Sequence, residues 1–120
     1  MDGDLASCTV ADCSVPGLVP LPPPLLPLPA TIVDAYLRRL GMGRPAAPNL
    51  AALTTILAAH VDRVAYESID IHAGIAPPPL TPLACAERVA VQRRGGYCFI
   101  VASAFSALLQ ALGFAVSLHT

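Results

Sequence analysis

Arg93-Arg94-Gly95-Gly96-Tyr97-Cys98-Phe99 is the stretch on which the reading of this 120-residue chain turns. Paired glycines let the backbone turn sharply and pass close to other chain segments. A cysteine follows at once, at the opening of the long apolar run Tyr97 to Leu112. Read as a helix, that run offers Cys98 unpaired backbone N–H groups and the positive end of the helix dipole, with Arg94 nearby. Those are the surroundings in which a cysteine serves as a nucleophile, and a thiolate sulfur is the form that attacks an acyl carbon. Taken alone, the same residue would be read as a small buried hydrophobe.

Downstream, no formally charged residue stands between Arg94 and His119. A helix apolar almost all round is either central in a core or a membrane span. Gly113 supplies a left-handed stop, and Phe114 to Leu118 alternates as a strand. Gly95 to Leu118 is long enough to cross a bilayer, with Arg93-Arg94 on the cytoplasmic side. Gly95, Gly96, Gln110 and Gly113 make it only moderately apolar, so the core helix is preferred.

Upstream, Thr81 as cap and Pro82 at the first position open a helix expected to run to about Gln92. The three prolines of Ile75 to Pro79 make a loop, and Ser68 to Ala73 reads as irregular or extended. Asn49 caps a helix to about Ala65 with Leu50, Leu53, Ile56, Leu57, Val61 and Val64 on one stripe. Thr31 with Asp34 resembles a capping box opening a helix that Gly41 stops. Residues 1–30 carry a proline-rich run from Val15 to Pro29 that a helix cannot cross, expected as a disordered or polyproline II leader outside the fold. A Pro-x-x-Pro reader is its alternative use.

The chain is 55% hydrophobic and 12% charged, against roughly 25% charged in an average soluble domain. A large face is therefore buried against further protein or meets lipid. Net charge is −1, and the 7 basic residues are all arginine. Without a basic patch, nucleic acid is not expected as a partner. The 4 cysteines, Cys8, Cys13, Cys85 and Cys98, are even in number, but the acidic start Met1-Asp2-Gly3-Asp4 lacks a signal peptide's basic region, so a reducing, cytoplasmic setting is expected instead of a disulfide framework. Their spacing shows no zinc pattern, and no metal is expected.

Arg94-Gly95-Gly96-Tyr97-Cys98 resembles the active-site motif of the arylamine N-acetyltransferases. Tyr36-Leu37-Arg38-Arg39-Leu40-Gly41 is similar to that family's opening Tyr-Leu-x-Arg-Ile-Gly, and Ala65-Tyr66-Glu67-Ser68-Ile69-Asp70-Ile71 to its Pro-Phe-Glu-Asn-Leu-Asp-Ile. Ala111 to Val116 also matches the segment downstream of the family's cysteine. The resemblance covers about residues 31–120. It implies a mainly α fold: the helical N-terminal domain of a cysteine-protease-like acetyltransferase over 31–113, with 114–120 starting a truncated β-barrel domain.

The same resemblance implies that Cys98 takes an acetyl group from acetyl-CoA, as donor substrate and not as a bound cofactor. It would pass the group to an arylamine or hydrazine nitrogen in a ping-pong cycle. Glu67 would pair with Arg94 to hold the turn of Gly95 and Gly96, while Tyr66 and Phe99 would line the aromatic pocket. Each has a plainer reading: an unrelated surface pair, and ordinary core aromatics.

The chain departs from the family pattern at Ile100 and Ala102, where polar residues are usual, and at Ser68, which replaces an asparagine. The family's histidine and aspartate lie well beyond its cysteine, so His60, His72 and His119 fall outside the triad order. The expectation is a truncated chain, inactive as given and prone to self-association. The competing readings are a non-catalytic remnant or helical interaction module, and an amide synthase.

Overall fold

The computed structural model describes residues 18–20, 28–76 and 79–119. Five helices dominate: α1 (Ala30–Arg39), α2 (Leu50–Arg63), α3 (Ile69–Ala73), α4 (Pro82–Ala90) and α5 (Cys98–Ala111). Two short strands, β1 (Leu18–Pro20) and β2 (Ser117–His119), pair antiparallel with Leu18 opposite His119. The expected leader falls largely on residues 1–17 and 21–27, outside the described ones. Its described part departs from the expectation, because Leu18 to Pro20 joins β2 through backbone pairing.

Two of the helix starts follow from capping chemistry. Asn49 Oδ1 accepts from the Ala52 N–H at 2.9 Å, and Thr81 Oγ1 from the Ala84 N–H at 3.2 Å, each satisfying an amide that the first turn leaves unpaired. The expected capping box at Thr31 does not form. The cap falls two residues earlier, at Pro29, whose carbonyl accepts from Ile32 and Val33. Asp34 instead pairs with Arg44 at 3.1 Å. Gly41 and Gly113 do adopt positive φ after their helices, at 74° and 100°, where a residue without a Cβ is favoured.

Two further boundaries differ from the sequence reading. Ser68 to Ala73 is not extended: Ile69–Ala73 forms a helical turn closed by Gly74 in the left-handed region. And α4 stops at Ala90, before Gln92: the Val91 amide makes the last regular bond, to the Glu87 carbonyl, and the Gln92 amide turns back to that same carbonyl one residue out of step with the helical ladder.

The core is built where α4 packs on α5 and α1. Tyr36, Leu37 and Leu40 from α1 and its end meet Cys85, Ala86 and Val89 from α4, and Ile100, Ala104 and Leu108 from α5. The apolar α5 is thus central on one face only, with Ala102 exposed. No helix among the described residues is long and apolar enough to cross a membrane.

The stripe expected on α2 is split. Ile56 and Val64 are buried with His60, a spacing of one turn each that forms the inner face. Leu50, Leu57 and Val61 are exposed and line an open groove with Leu53 and Thr54. A helix with apolar residues on more than one side cannot bury all of them against one neighbour.

His60 occupies the inner face because it is partnered. Its Nε2 lies 2.7 Å from the Tyr36 hydroxyl, and its ring is 4.6 Å from that of Phe105. Burial, with the nearby Arg39 charge as a lesser cause, lowers the His60 pKa to about 4. Its folded pKa lies below its unfolded one, so the folded state binds fewer protons between about pH 4 and 6.5, and stability falls as pH drops through that window. We expect a loss of about 3 kcal/mol between pH 7.5 and 4 from this group. Urea midpoints across that range should slope for the natural chain and be flatter for His60→Gln; equal slopes would remove His60 as the cause.

Candidate active site

The turn carrying Cys98 is set by a backbone crossing. Residues 65–67 run beside residues 95–96: the Gly96 N–H donates to the Ala65 carbonyl at 3.2 Å and the Glu67 N–H to the Gly96 carbonyl at 3.0 Å. Tyr66 and Gly96 form an isolated parallel bridge. A Cβ at Gly95 would lie 1.7 Å from the Ala65 carbonyl oxygen, so the first glycine is required by close approach. At Gly96 the obstacle is the Ile100 side chain, at 2.8 Å.

Entry to the turn is reversed at Arg93, whose φ is 58°. A non-glycine residue in that region is held there by its surroundings. Here the Arg94 N–H donates to the Arg88 carbonyl at 3.1 Å, and Arg39 Nη2 to the Arg93 carbonyl at 3.3 Å. Arg39 Nη1 also donates to the Arg63 carbonyl at 2.7 Å, linking the end of α2 to this turn.

Beside the crossing, two carboxylates and two guanidinium groups alternate. Arg94 Nη2 reaches Glu67 Oε2 at 3.1 Å and Asp70 Oδ1 at 3.0 Å, and Arg94 Nη1 reaches Asp70 Oδ2 at 3.2 Å. Arg88 Nη1 contacts Asp70 Oδ2 at 3.2 Å, and its Nη2 lies 3.7 Å from Glu67 Oε1. The Arg88 Nε then donates to the Gly95 carbonyl at 2.8 Å. The Arg94 hydrogen bonds, aided by Arg88 and opposed by burial, hold the Asp70 carboxyl below its ordinary pKa. Asp70 first, then Glu67, hold Arg94 above its own.

The structure therefore brings Glu67, Arg94, Gly95 and Gly96 together. Asp70 and Arg88 join them, although the sequence reading gave neither a role. The available signal for Asp70 was its short spacing from Glu67: Glu67 stands just before α3 and Asp70 in its first turn, and both carboxylates meet Arg88 and Arg94. For Arg88 it was a charge set among the apolar residues Cys85, Ala86, Val89 and Ala90 that face the core; its side chain is only 6% exposed.

Cys98 is the first residue of α5 and is exposed, whereas Cys85 is buried. Burial raises the Cys85 pKa, which makes that thiol the poorer nucleophile near neutrality. Tyr66 and Phe99 are also exposed, and Phe99 stands edge-on to Tyr97 with ring centroids 6.4 Å apart. They are not core aromatics. Ile100 is buried, and Ala102 exposed. His60 is engaged by Tyr36, His72 lies on exposed α3, and His119 ends β2. Among the described residues no group of His, Cys, Asp or Glu gathers as a metal site.

The family model described as N-acetyltransferase matches residues 49–120. The arylamine N-acetyltransferase of Mycolicibacterium smegmatis is 38% identical over 85 residues, and that of Mycobacterium bovis 30% over 84, each alignment covering 70% of this chain and 30% of the relative. The solved arylamine N-acetyltransferase of M. tuberculosis superposes with a TM-score of 0.61 at 30% identity over 66% of this chain and 29% of that one. For the M. marinum arylamine N-acetyltransferase the TM-score is 0.63 at 30% identity, over 68% and 30%. The chain thus spans about 30% of the length of the relatives it matches.

The crossing makes a graded prediction. Gly95→Ala must push apart two backbone segments and should cost at least about 3 kcal/mol. Gly96→Ala meets a side chain that can shift and should cost less. Gly43→Ala, with nothing within 4 Å, should stay within about 0.5 kcal/mol of the natural chain. Chemical denaturation of the three variants checks the order; a Gly95→Ala chain as stable as Gly43→Ala would contradict the crossing.

Proposed function

Because this chain belongs to the arylamine N-acetyltransferase family, we propose that its helical unit presents Cys98 as the nucleophile that carries an acetyl group from acetyl-CoA to an aromatic amine. One observation carries the proposal. The exposed thiol at the first position of α5 directly follows a turn clamped by a backbone crossing and a four-residue ion cluster. A reactive atom gains from being held in one orientation, since positioning removes entropy that the reaction otherwise has to lose.

In the first half-reaction the Cys98 Sγ attacks the acetyl carbonyl carbon, the bond from that carbon to the coenzyme sulfur breaks, and coenzyme A leaves as a thiol after taking a proton. In the second, the amine nitrogen attacks the acetyl-cysteine, the carbon–sulfur bond to Cys98 breaks, and the nitrogen loses a proton as the amide forms. Glu67 and Arg94 support the turn without touching substrate. Exposed Tyr66 and Phe99 offer faces on which an aromatic acceptor stacks. We read 31–113 as the domain bearing the nucleophile and 114–120 as the start of a β domain.

Proton transfer limits the rate in this reading. His60 is withdrawn into the core by Tyr36, so it is not the base, and the chain of 120 residues should acylate slowly rather than turn over rapidly. A second reading, a helical scaffold without turnover, is favoured by Ile100, whose buried apolar side chain abuts Gly96 where the family pattern has a polar residue.

Intact-mass and peptide measurements on the chain incubated with acetyl-CoA should find one acetyl group on Cys98 and none on Cys85, with Cys98→Ala unlabelled. Addition of an arylamine should discharge the label. Acetyl-cysteine that no arylamine discharges would favour the scaffold reading, and labelling at Cys85 in place of Cys98 would overturn the proposed nucleophile.

A further inference from the structure

We propose that Arg88 is the positioning residue that sets the conformation of the Gly95–Cys98 turn, acting through the Gly95 carbonyl and not on substrate; its catalytic consequence rests on the reading of Cys98 given above. The first ground is geometry. Arg88 comes from α4, a different element from the turn, and its Nε donates to the Gly95 carbonyl at 2.8 Å, the shortest side-chain bond made by any member of the cluster. That carbonyl precedes Gly96, whose own amide is held by Ala65. Arg88 and Ala65 therefore grip the two sides of the same peptide unit.

The second ground is burial. The Arg88 side chain is 6% exposed, against 37% for Arg94. A guanidinium so enclosed must be matched by fixed acceptors. Its planar fork meets them in separate directions: Nε on the Gly95 carbonyl, Nη1 on Asp70 and Nη2 toward Glu67. Arg94 shares the same two carboxylates but makes no side-chain bond to the turn. The cluster thus divides its labour. Arg94 balances Asp70 and Glu67 near the surface, while Arg88 transmits their position to the backbone that aims Cys98.

The third ground is chemical. An ammonium on a flexible stem carries the same charge but cannot reproduce the fork. Arg88→Lys should therefore keep the charge balance of the cluster and lose the simultaneous hold on Gly95 and Asp70. Arg88→Met removes the charge, leaving Arg94 to both carboxylates.

The test uses the 120-residue chain, its Arg88→Lys and Arg88→Met variants, and Arg44→Ala as a control in the exposed Asp34 pair. Amide hydrogen exchange resolved at Gly96 reads the turn directly, with Leu108 and Leu112 in and after α5 as a core reference. Single-turnover acylation of Cys98 by p-nitrophenyl acetate, normalised to folded protein, reads its consequence. Expected are at least about tenfold faster exchange at Gly96 in both Arg88 variants with little change at the reference amides, about tenfold slower acylation, and neither effect in Arg44→Ala.

Gly96 exchange that is unchanged, or that accelerates only in step with Leu108 and Leu112, would overturn the proposal and leave Arg88 as a fold-stabilising charge. Unchanged acylation beside a loosened turn would overturn the claim that the turn aims Cys98. If the natural chain is not acylated at Cys98 at all, the functional reading fails by itself, and the exchange comparison still decides whether Arg88 sets the turn. Should Arg88→Met not fold, Arg88→Lys supplies both readouts.

Discussion

Everything at the candidate site depends on two stretches of backbone passing within hydrogen-bonding distance of each other, residues 65–67 and residues 95–96. The Ala65 carbonyl accepts from Gly96, and the Gly96 carbonyl accepts from Glu67, so the two strands of chain are locked in register at a single residue. Such an approach is available only if residue 95 has no Cβ. Once it is made, the next residue but one begins α5, and Cys98 takes the first helical position. The place of Cys98 is thus a consequence of backbone sterics before any charge is considered.

The ion cluster then stiffens what the crossing allows. Isolated surface pairs contribute little, because water screens them and long side chains resist being held. Here the carboxylates of Glu67 and Asp70 are shared between two arginines, and Arg88 is nearly enclosed. Enclosure weakens screening, but it also makes any missing partner expensive. The arrangement is consequently all or none: four groups satisfied together, or a buried charge without a match. Arg39 extends the same logic to the carbonyls of Arg63 and Arg93, tying the ends of α1 and α2 to the reversal that precedes the glycines. A chain segment kept in a left-handed conformation at Arg93 is stable only in such a frame.

Packing around this frame is uneven. α4 and α5 share the densest contact, and α1 closes on them, whereas α2 gives Ile56, His60 and Val64 to the core and leaves Leu50, Leu57 and Val61 exposed. The same sequence that is rich in apolar residues therefore does not bury them all within the described unit. Cys98, Phe99 and Tyr66 are exposed as well. For the nucleophile proposed at Cys98, which would meet two substrates in turn, such exposure is a requirement and not a packing defect.

The amino-acid sequence alone determined what depends on neighbours along the chain: the caps at Asn49 and Thr81, the stops at Gly41 and Gly113, the helix opening at Cys98, and the family pattern through Arg94-Gly95-Gly96-Tyr97-Cys98. The resemblance carried by that pattern also implied the Glu67–Arg94 pair. Local rules misplaced what depends on competition among partners. Thr31 had the chemistry of a cap, but Pro29 supplied the acceptor first; Ser68 to Ala73 looked extended, but Asp70 reaches Arg88 and Arg94 from a helical turn. The α2 stripe could not reveal which apolar side would find a neighbour, and nothing local to Arg88 gave it a role. Those matters were decided only by tertiary structure, because burial and hydrogen-bond satisfaction are properties of surfaces brought together from distant parts of the chain, and residues 67, 70, 88 and 95 share no local signal that places them around one peptide unit.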